Sequence, residues 1–243
     1  MKRWSDISWQ PNAPAVLESR RRELTAAHRP PCTDRAAYLV DLARGRRVLD
    51  VGVVDHMATA WRNPDWLHGK IVRAASYTLG IDVMDTGTRL LREAGYNVSR
   101  CDITREVPDG GPFDIVICGE VIEHLGNPQA LFNSAARVLS PGGRLALTTP
   151  NPYYFGRTLR HLFGRDRESV DHATLLFPSG IAEMANRAGL KLDSYRGVLS
   201  RPKTGKQQLL AGSFRLATVV MAREAACGTL IYECVKARVD GQD

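Results

Sequence analysis

Three short apolar runs in the first half of the chain each carry a carboxylate at or near their end. They are residues 48–52, 79–82 and 98–102, and their acidic members are Asp50, Asp82 and Asp102. Runs of this length and composition are typical of buried parallel strands. Doubly wound sheets bind nucleotide-like ligands at the carboxyl ends of such strands. The pattern therefore predicts a protein that binds an adenosine-containing cofactor.

The rest of the chain continues this alternation of strands and helices. Strands are predicted near residues 47–51, 77–81, 97–101, 113–118, 144–149, 191–198 and 229–235. Helices are predicted near residues 66–75, 86–94, 128–139 and 178–188. This order favours an α/β fold with a doubly wound, mostly parallel seven-stranded sheet that helices cover on both faces.

We divide the chain into a helical N-terminal cap, residues 1–45, and a main domain, residues 46–239. Two connections in the main domain, residues 150–177 and 199–227, are much longer than the others. Loops of such length in a compact domain are commonly functional. Both leave the sheet where a substrate would have to be covered, so we interpret them as lids or insertions over the site.

Composition limits the class of protein. Of the 243 residues, 44% are hydrophobic and 24% are charged, as in ordinary globular domains. No apolar run approaches the roughly 20 residues that a bilayer span needs, and the N-terminus lacks the apolar core of a secretory signal. We therefore expect a cytoplasmic protein. The net charge of +7 is compatible with an anionic substrate or nucleic acid, but the arginines are spread along the chain, which favours solvated helix faces.

From Val48 to Leu190 the chain resembles the class I S-adenosylmethionine-dependent methyltransferases, which have a Rossmann-like fold. The segments that carry the resemblance, in order, are residues 48–52, 80–82, 101–103, 113–116, 120–125, 139–143 and 149–151. The resemblance implies S-adenosylmethionine as the cofactor. The cofactor-binding residues that it implies are Asp50, Gly52, Asp82, Val83, Asp102, Ile103 and Gly119.

The chemistry of that cofactor suggests a role for most of these residues. Asp82 suits the two ribose hydroxyls, and Val83 would pack on the adenine face. Asp102 can accept a hydrogen bond from the adenine amino group, and the Ile103 amide can reach a ring nitrogen. Gly52 allows close approach of the backbone. Asp50 would lie at the amino-acid tail of the cofactor, where it orients the loop or the ammonium group.

The first loop departs from the family pattern. The usual run is Gly-x-Gly-x-Gly, whereas here Gly52 is followed by Val53, Val54, Asp55 and His56. Side chains therefore stand where the methionine tail of the cofactor usually lies. Either the cofactor shifts, with help from Asp55 or His56, or it binds weakly. A non-catalytic scaffold that keeps only the fold is the alternative.

A second motif follows the fourth predicted strand. Glu120, Glu123 and His124 fall on one face if the segment is helical, and His172 in the long connection could join them. Carboxylates with histidine suit Mg²⁺ or Mn²⁺, and Zn²⁺ is an alternative. The run resembles the Glu-x-x-Glu-His of two metal-assisted branches, the small-RNA terminal 2′-O-methyltransferases and the ubiquinone-pathway O-methyltransferases. In the metal-independent alternative, His172 or His124 is the general base and Asp171 orients it.

Three functions remain open from the sequence. The leading hypothesis is methyl transfer to a hydroxyl of a small polar molecule such as a sugar, a phenol or a natural-product intermediate. RNA 2′-O-methylation is the second, although no separate RNA-binding domain or aromatic-basic platform is evident. The non-catalytic scaffold is the third. We also interpret His68, in the helix that follows the first loop, as structural rather than catalytic.

Overall fold

The computed structural model describes residues 11–55, 60–165, 168–199 and 223–238. Its helices are α1 (Pro14–Ala27), α2 (Arg35–Ala43), α3 (Leu67–Ala74), α4 (Asp85–Glu93), α5 (Pro128–Val138), α6 (Phe155–Leu162) and α7 (Pro178–Arg187). Its strands are β1 (Arg47–Val51), β2 (Tyr77–Asp82), β3 (Val98–Arg100), β4 (Phe113–Gly119), β5 (Leu139–Pro150), β6 (Leu190–Val198) and β7 (Thr229–Lys236). Short 3-10 turns occupy Ala60–Arg62, Ile122–His124 and Arg223–Ala226.

The seven strands form one sheet in the order β3-β2-β1-β4-β5-β7-β6. The first five strands are mutually parallel, and β7 runs antiparallel to both β5 and β6. This confirms the predicted α/β fold with a mostly parallel seven-stranded sheet. The fifth strand begins earlier than predicted. Phe113 pairs with Leu139 and Ile115 with Arg144, so residues 140–143 form a bulge at the start of β5.

Two apolar clusters cover the two faces of the sheet. Successive residues of a strand point to opposite faces, so Leu49 lies in the larger cluster with α5 and α7, and Val48 in the cluster beneath α2 and α3. Both residues are fully buried. This arrangement explains why the central strands read as continuous apolar runs instead of alternating ones.

The described part of the N-terminal segment, residues 11–45, packs against the rest of the domain. Asp34 caps α2 by accepting a hydrogen bond from the Ala37 backbone N–H. Between α1 and α2 the chain runs beside β6, where the Cys32 N–H bonds to the Gly197 carbonyl oxygen. The predicted division at residue 45 stays a prediction, and most of the predicted insertion 199–227 lies outside the described residues. None of the described helices has the length and apolar character needed to cross a membrane.

Candidate active site

The order of the strands locates the site. Chain connections reverse direction between β1 and β4, and ligands of open α/β sheets bind at the carboxyl edge beside such a point. Asp50 of β1 is paired with Gly80 of β2 on one side and Ile117 of β4 on the other. The ends of these three strands therefore meet at one edge, which carries the predicted residues of both motifs.

Asp82 ends β2 with a buried carboxylate that is 7% exposed. It accepts hydrogen bonds from the backbone N–H groups of Val54, at 2.8 Å, and Met84, at 3.0 Å. Burial raises the pKa of Asp82, and these backbone donors oppose that shift. Val83 and Met84, immediately beyond, are each 57% exposed, which is unusual for apolar side chains of this size. A carboxylate beside an uncovered apolar surface fits a ribose and an adenine face.

Asp102 follows β3 at the neighbouring strand end. One carboxylate oxygen accepts hydrogen bonds from the Thr104 backbone N–H, at 2.9 Å, and its hydroxyl, at 2.6 Å. Arg105 lies 3.5 Å from the other oxygen. Ile103 is buried, at 4% exposure. Asp102 thus shapes its own turn, and the predicted contact with an adenine amino group stays a prediction.

The first loop accommodates its missing glycine. Gly52 has φ of 80°, and a Cβ there would overlap the Cγ2 methyl of Val121. Val54, which stands where the second glycine is usual, fits because α4 carries Gly87 at the point of contact, where a Cβ would overlap the Val54 side chain. The Trp66 indole N–H bonds to the Val53 carbonyl oxygen at 3.1 Å. Val53 and Val54 are therefore held in place by these contacts, Asp55 is exposed, and His56 lies outside the described residues.

Asp50 and Gly119 lie near the carboxyl ends of β1 and β4. Asp50 is 4% exposed and lies 2.8 Å from Nδ1 of His68, which is itself 2% exposed. The interpretation of His68 as structural rather than catalytic stays a prediction. At Gly119 a Cβ would lie 3.3 Å from Cδ2 of Leu67 and 3.8 Å from the Thr148 hydroxyl. The absence of a side chain at Gly119 therefore leaves room for Leu67, in the first turn of α3, beside the end of β4.

Three of the four predicted metal ligands come together. Ligand atoms of Glu123, His124 and His172 all lie within 4.8 Å of one another. The two imidazole rings meet edge to face with centroids 5.0 Å apart. Backbone N–H groups of Ala173 and Thr174 bond to the Glu123 carbonyl oxygen at 2.8 and 3.1 Å. These two bonds bring the long connection onto the turn after β4 and so bring His172 to the group.

Glu123 is the most unusual side chain of the group. It is 1% exposed, and neither carboxylate oxygen has a hydrogen-bond partner. Its pKa is raised to about 7, mainly by burial and in smaller part by the Glu120 charge, although a backbone N–H, the Thr149 hydroxyl and the His124 charge oppose the shift. A buried carboxylate without hydrogen bonds is costly. Such a carboxylate beside two imidazoles fits a cation.

Glu120 does not join this group. Its backbone has φ of 56°, and its carboxylate lies 3.3 Å from the Arg35 guanidinium. The predicted common face assumed an α-helix, but the segment is a left-handed residue followed by the 3-10 turn Ile122–His124. The Glu120 N–H bonds back to the Thr148 carbonyl oxygen at 3.0 Å. That turn points the two carboxylates apart, so that Glu120 faces Arg35 and Glu123 faces the two histidines.

Asp171, which was predicted to orient the catalytic base, contacts His124. Nδ1 of His124 lies 3.2 Å from both the carboxylate and the backbone carbonyl oxygen of Asp171. The Ser169 hydroxyl bonds to the other carboxylate oxygen, and this bond lowers the pKa of Asp171. His124 is thus the imidazole that Asp171 orients.

His172 has a different neighbour. Its Nδ1 lies 3.8 Å from Glu168, too far for a hydrogen bond, and Glu168 is paired with Arg157. Arg157 also donates to the Asn151 carbonyl oxygen at 2.8 Å. Sequence reasoning did not identify Glu168 or Arg35 as neighbours of the site. A charged residue that is distant in sequence gives no local signal of such a contact.

Asn151 joins the start of the long connection to the segment before β7. It is fully buried and donates to the carbonyl oxygens of Glu224, at 2.7 Å, and Cys227, at 2.8 Å. Asn151→Ala is expected to lower the free energy of unfolding by about 2 kcal/mol, because both carbonyls lose their donor in a buried place. Urea unfolding would measure this. Asn133→Ala is the matched control, and equal losses in the two variants would contradict the expectation.

Comparison with known proteins adds independent information. A family model described as a methyltransferase domain matches residues 20–195. The ubiquinone biosynthesis O-methyltransferase of Dechloromonas aromatica is 30% identical over 185 residues, which make up 68% of this chain and 73% of the relative. The enzyme of the same name from Coxiella burnetii (strain Dugway 5J108-111) is 27% identical over 195 residues, or 76% of this chain and 78% of the relative.

Solved structures share the fold. A S-adenosylmethionine-dependent methyltransferase from Archaeoglobus fulgidus superposes with a TM-score of 0.57 at 14% identity, covering 92% of this chain and 100% of that one. The magnesium protoporphyrin IX methyltransferase of Synechocystis, solved with bound S-adenosylhomocysteine, has a TM-score of 0.54 at 15% identity and covers 91% and 85%. At these identities the likeness concerns the fold alone.

Proposed function

This chain belongs to the class I S-adenosylmethionine-dependent methyltransferases, and we propose that it methylates a hydroxyl of a small molecule with the help of a divalent cation. It is an enzyme that uses S-adenosylmethionine for O-methylation. To this general activity we add a class of acceptor molecule and the participation of a divalent cation. The acceptor is a phenol, a sugar or a natural-product intermediate. A phenol is favoured, since a phenolic hydroxyl, with a pKa near 10, is the easiest of the three to deprotonate.

The residues at the carboxyl edge would bind different parts of the cofactor. When bound, S-adenosylmethionine supplies a methyl group that is already strongly electrophilic. Asp82 would bind the ribose, Val83 would cover the adenine, and Asp50 would lie at the amino-acid tail. Gly52 leaves room for the backbone to approach. The remaining tasks of the enzyme are to position the acceptor oxygen and to remove its proton.

The single observation that carries the cation is the Glu123 carboxylate. Both of its oxygens are buried and lack hydrogen bonds, and one ring nitrogen of each of the two histidines lies within 4.8 Å of a Glu123 carboxylate oxygen. Nδ1 of His172 and the hydroxyl of Thr174 are also buried without a hydrogen-bond partner. Buried polar groups are normally satisfied, so several such atoms at one place indicate a ligand. A divalent cation held by Glu123, His124 and His172 would lower the pKa of an acceptor hydroxyl.

A metal-free mechanism is the second candidate. The contact between Asp171 and His124 favours this mechanism. A carboxylate that orients an imidazole is a common arrangement for a general base. His172 would then be the alternative base. The two mechanisms differ in whether a cation is required, and they share the same side chains.

RNA as the acceptor has less support. Three arginines near the carboxyl edge or β5 are paired with acidic side chains: Arg35 with Glu120, Arg157 with Glu168 and Arg144 with Asp193. Binding to nucleic acid draws on cations that are available to phosphates. A small-molecule acceptor is therefore preferred, and salt-dependent binding to RNA would favour the alternative.

Calorimetric titration with Mn²⁺ tests the cation. We expect micromolar binding to the wild type, and a loss of at least tenfold in Glu123→Gln, because the amide removes the buried charge. Glu120→Gln is the matched control and should bind Mn²⁺ within about threefold of the wild type, since Glu120 lies outside the group. Absence of Mn²⁺ binding to the wild type would leave the His124–Asp171 base mechanism. Loss of binding in Glu120→Gln alone would contradict the ligand set.

A further inference from the structure

We propose that His68 is a positioning residue of the cofactor site, which it serves by holding the Asp50 carboxylate in place. His68 lies in the first turn of α3, behind the carboxyl edge of β1. It has no described contact with Glu123, His124 and His172, which are called the cation group below. The inference rests on the proposed assignment of Asp50 to the amino-acid tail of S-adenosylmethionine.

The contact between the two side chains is short and buried. Nδ1 of His68 lies 2.8 Å from Oδ2 of Asp50. His68 is 2% exposed and Asp50 is 4% exposed. An ionised carboxylate can only accept, so Nδ1 must carry the proton of this hydrogen bond. Bonds to an ionised partner are stronger than neutral ones. This donor therefore fixes the direction in which Asp50 points.

The neighbouring elements are shaped to hold the imidazole. At Gly80, in β2, a Cβ would lie 2.7 Å from Cε1 of His68, so a larger residue would displace the ring. Trp66 and Tyr96 pack on it, with ring centroids 5.0 and 6.0 Å away. Nε2 of His68 is buried and has no hydrogen-bond partner. Of the two ring nitrogens, Nδ1 is therefore the one that makes a hydrogen bond, and its partner is Asp50.

The same turn also holds the loop that lacks the second glycine. Trp66, two residues before His68, donates its indole N–H to the Val53 carbonyl oxygen at 3.1 Å. Asp50 and Val53 lie on either side of Gly52, whose φ of 80° directs the loop. The start of α3 therefore holds the chain both before and after Gly52.

Removing the imidazole should mainly lower the affinity for the cofactor and should have a smaller effect on the stability of the fold. The probe is S-adenosylhomocysteine, titrated calorimetrically into the full chain. We expect His68→Leu to bind it at least tenfold more weakly, because Asp50 is left buried without a donor. His68→Asn can place an amide N–H near the position of Nδ1, so its affinity should stay within about threefold of the wild type.

Two controls separate positioning from general damage. Ile71→Ala removes a fully buried side chain of the same helix on the side of the cluster beneath α2 and α3. It should lower the melting temperature yet bind within about threefold. Should His68→Leu fail to fold, His68→Gln replaces it, because its amide is one methylene further from the backbone and should lose at least tenfold.

Each outcome decides one point. Wild-type affinity in both His68→Leu and His68→Gln would overturn the inference, as would an equal loss in His68→Asn and His68→Leu. Weakened binding in Ile71→Ala of the same size as in His68→Leu would show a structural effect and also overturn it. Asp82→Ala reports on the cofactor site itself. If Asp82→Ala binds like the wild type, the proposed site is wrong. If only Asp82→Ala loses affinity, the His68 inference alone fails.

Discussion

Glu123→Gln is expected to stabilise the metal-free protein by about 2 to 3 kcal/mol at pH 8. In the folded protein the pKa of Glu123 is raised to about 7 from an ordinary value of 4.5. Between these values the folded state binds more protons than the unfolded state, so stability falls as pH rises from about 4.5 to about 7. Above that range the whole cost of the buried charge is present, and glutamine removes it.

Urea unfolding in EDTA between pH 5 and pH 8 measures this effect. The wild type should lose stability over the range, and Glu123→Gln should lose less. Glu93→Gln, at the exposed end of α4, is the matched control and should keep the wild-type pH dependence. Parallel curves for the wild type and Glu123→Gln would show that Glu123 is not a costly buried charge. In parallel samples without EDTA, Mn²⁺ should stabilise the wild type and leave Glu123→Gln nearly unchanged, because only the former binds it tightly.

Gly52→Ala is expected to destabilise the protein by about 2 to 5 kcal/mol and to abolish detectable binding of S-adenosylhomocysteine. A left-handed backbone costs a residue with a Cβ roughly 1 to 2 kcal/mol, and the new methyl group would overlap Cγ2 of Val121. Overpacking of this kind costs about 1 to 3 kcal/mol more. The displaced loop also carries the Val54 N–H that bonds to Asp82, so the proposed ribose site would move with it.

Two variants separate the contributions to this loss. Gly45→Ala has a similar φ of 67° but nothing within 4 Å of its Cβ, so it should show the backbone cost alone. Val121→Ala removes the overlapping methyl group, and the double variant Gly52→Ala/Val121→Ala should therefore lose less than the sum of the two single changes. Urea unfolding and calorimetry provide both readouts. A Gly52→Ala protein as stable as Gly45→Ala would show that Val121 moves freely.

The ends of the first strands could be predicted from the sequence because their signal is local. A short apolar run that ends on an acidic residue defines a strand and a strand end at once, and the position of Asp82 follows from that alone. Val83 is adjacent to Asp82, so its position followed too. The sheet was also predictable, because the strands between helices are buried on both faces and consist almost wholly of apolar residues.

The cation group was predicted only in part, for a specific reason. Helical spacing put Glu120 and Glu123 on one face, but Glu120 adopts φ of 56° and pairs with Arg35. A single left-handed residue breaks the periodicity on which the prediction relied, and a glutamate there gives no warning, since this conformation is rare outside glycine. The position of His172 was harder still to predict, because it depends on where the connection after β5 packs against the turn that holds Glu123.

The sequence by itself determined the order of elements, the type of sheet, the carboxylates at the strand ends and the family. These depend on neighbouring residues and on spacings of two to four positions, which the chain carries explicitly. Tertiary structure alone decided which distant side chains meet. Two backbone bonds to the Glu123 carbonyl bring His172 to the cation group, and Gly80 makes room for His68 beside Asp50. Such contacts join residues far apart in sequence, and only the packed fold brings them together.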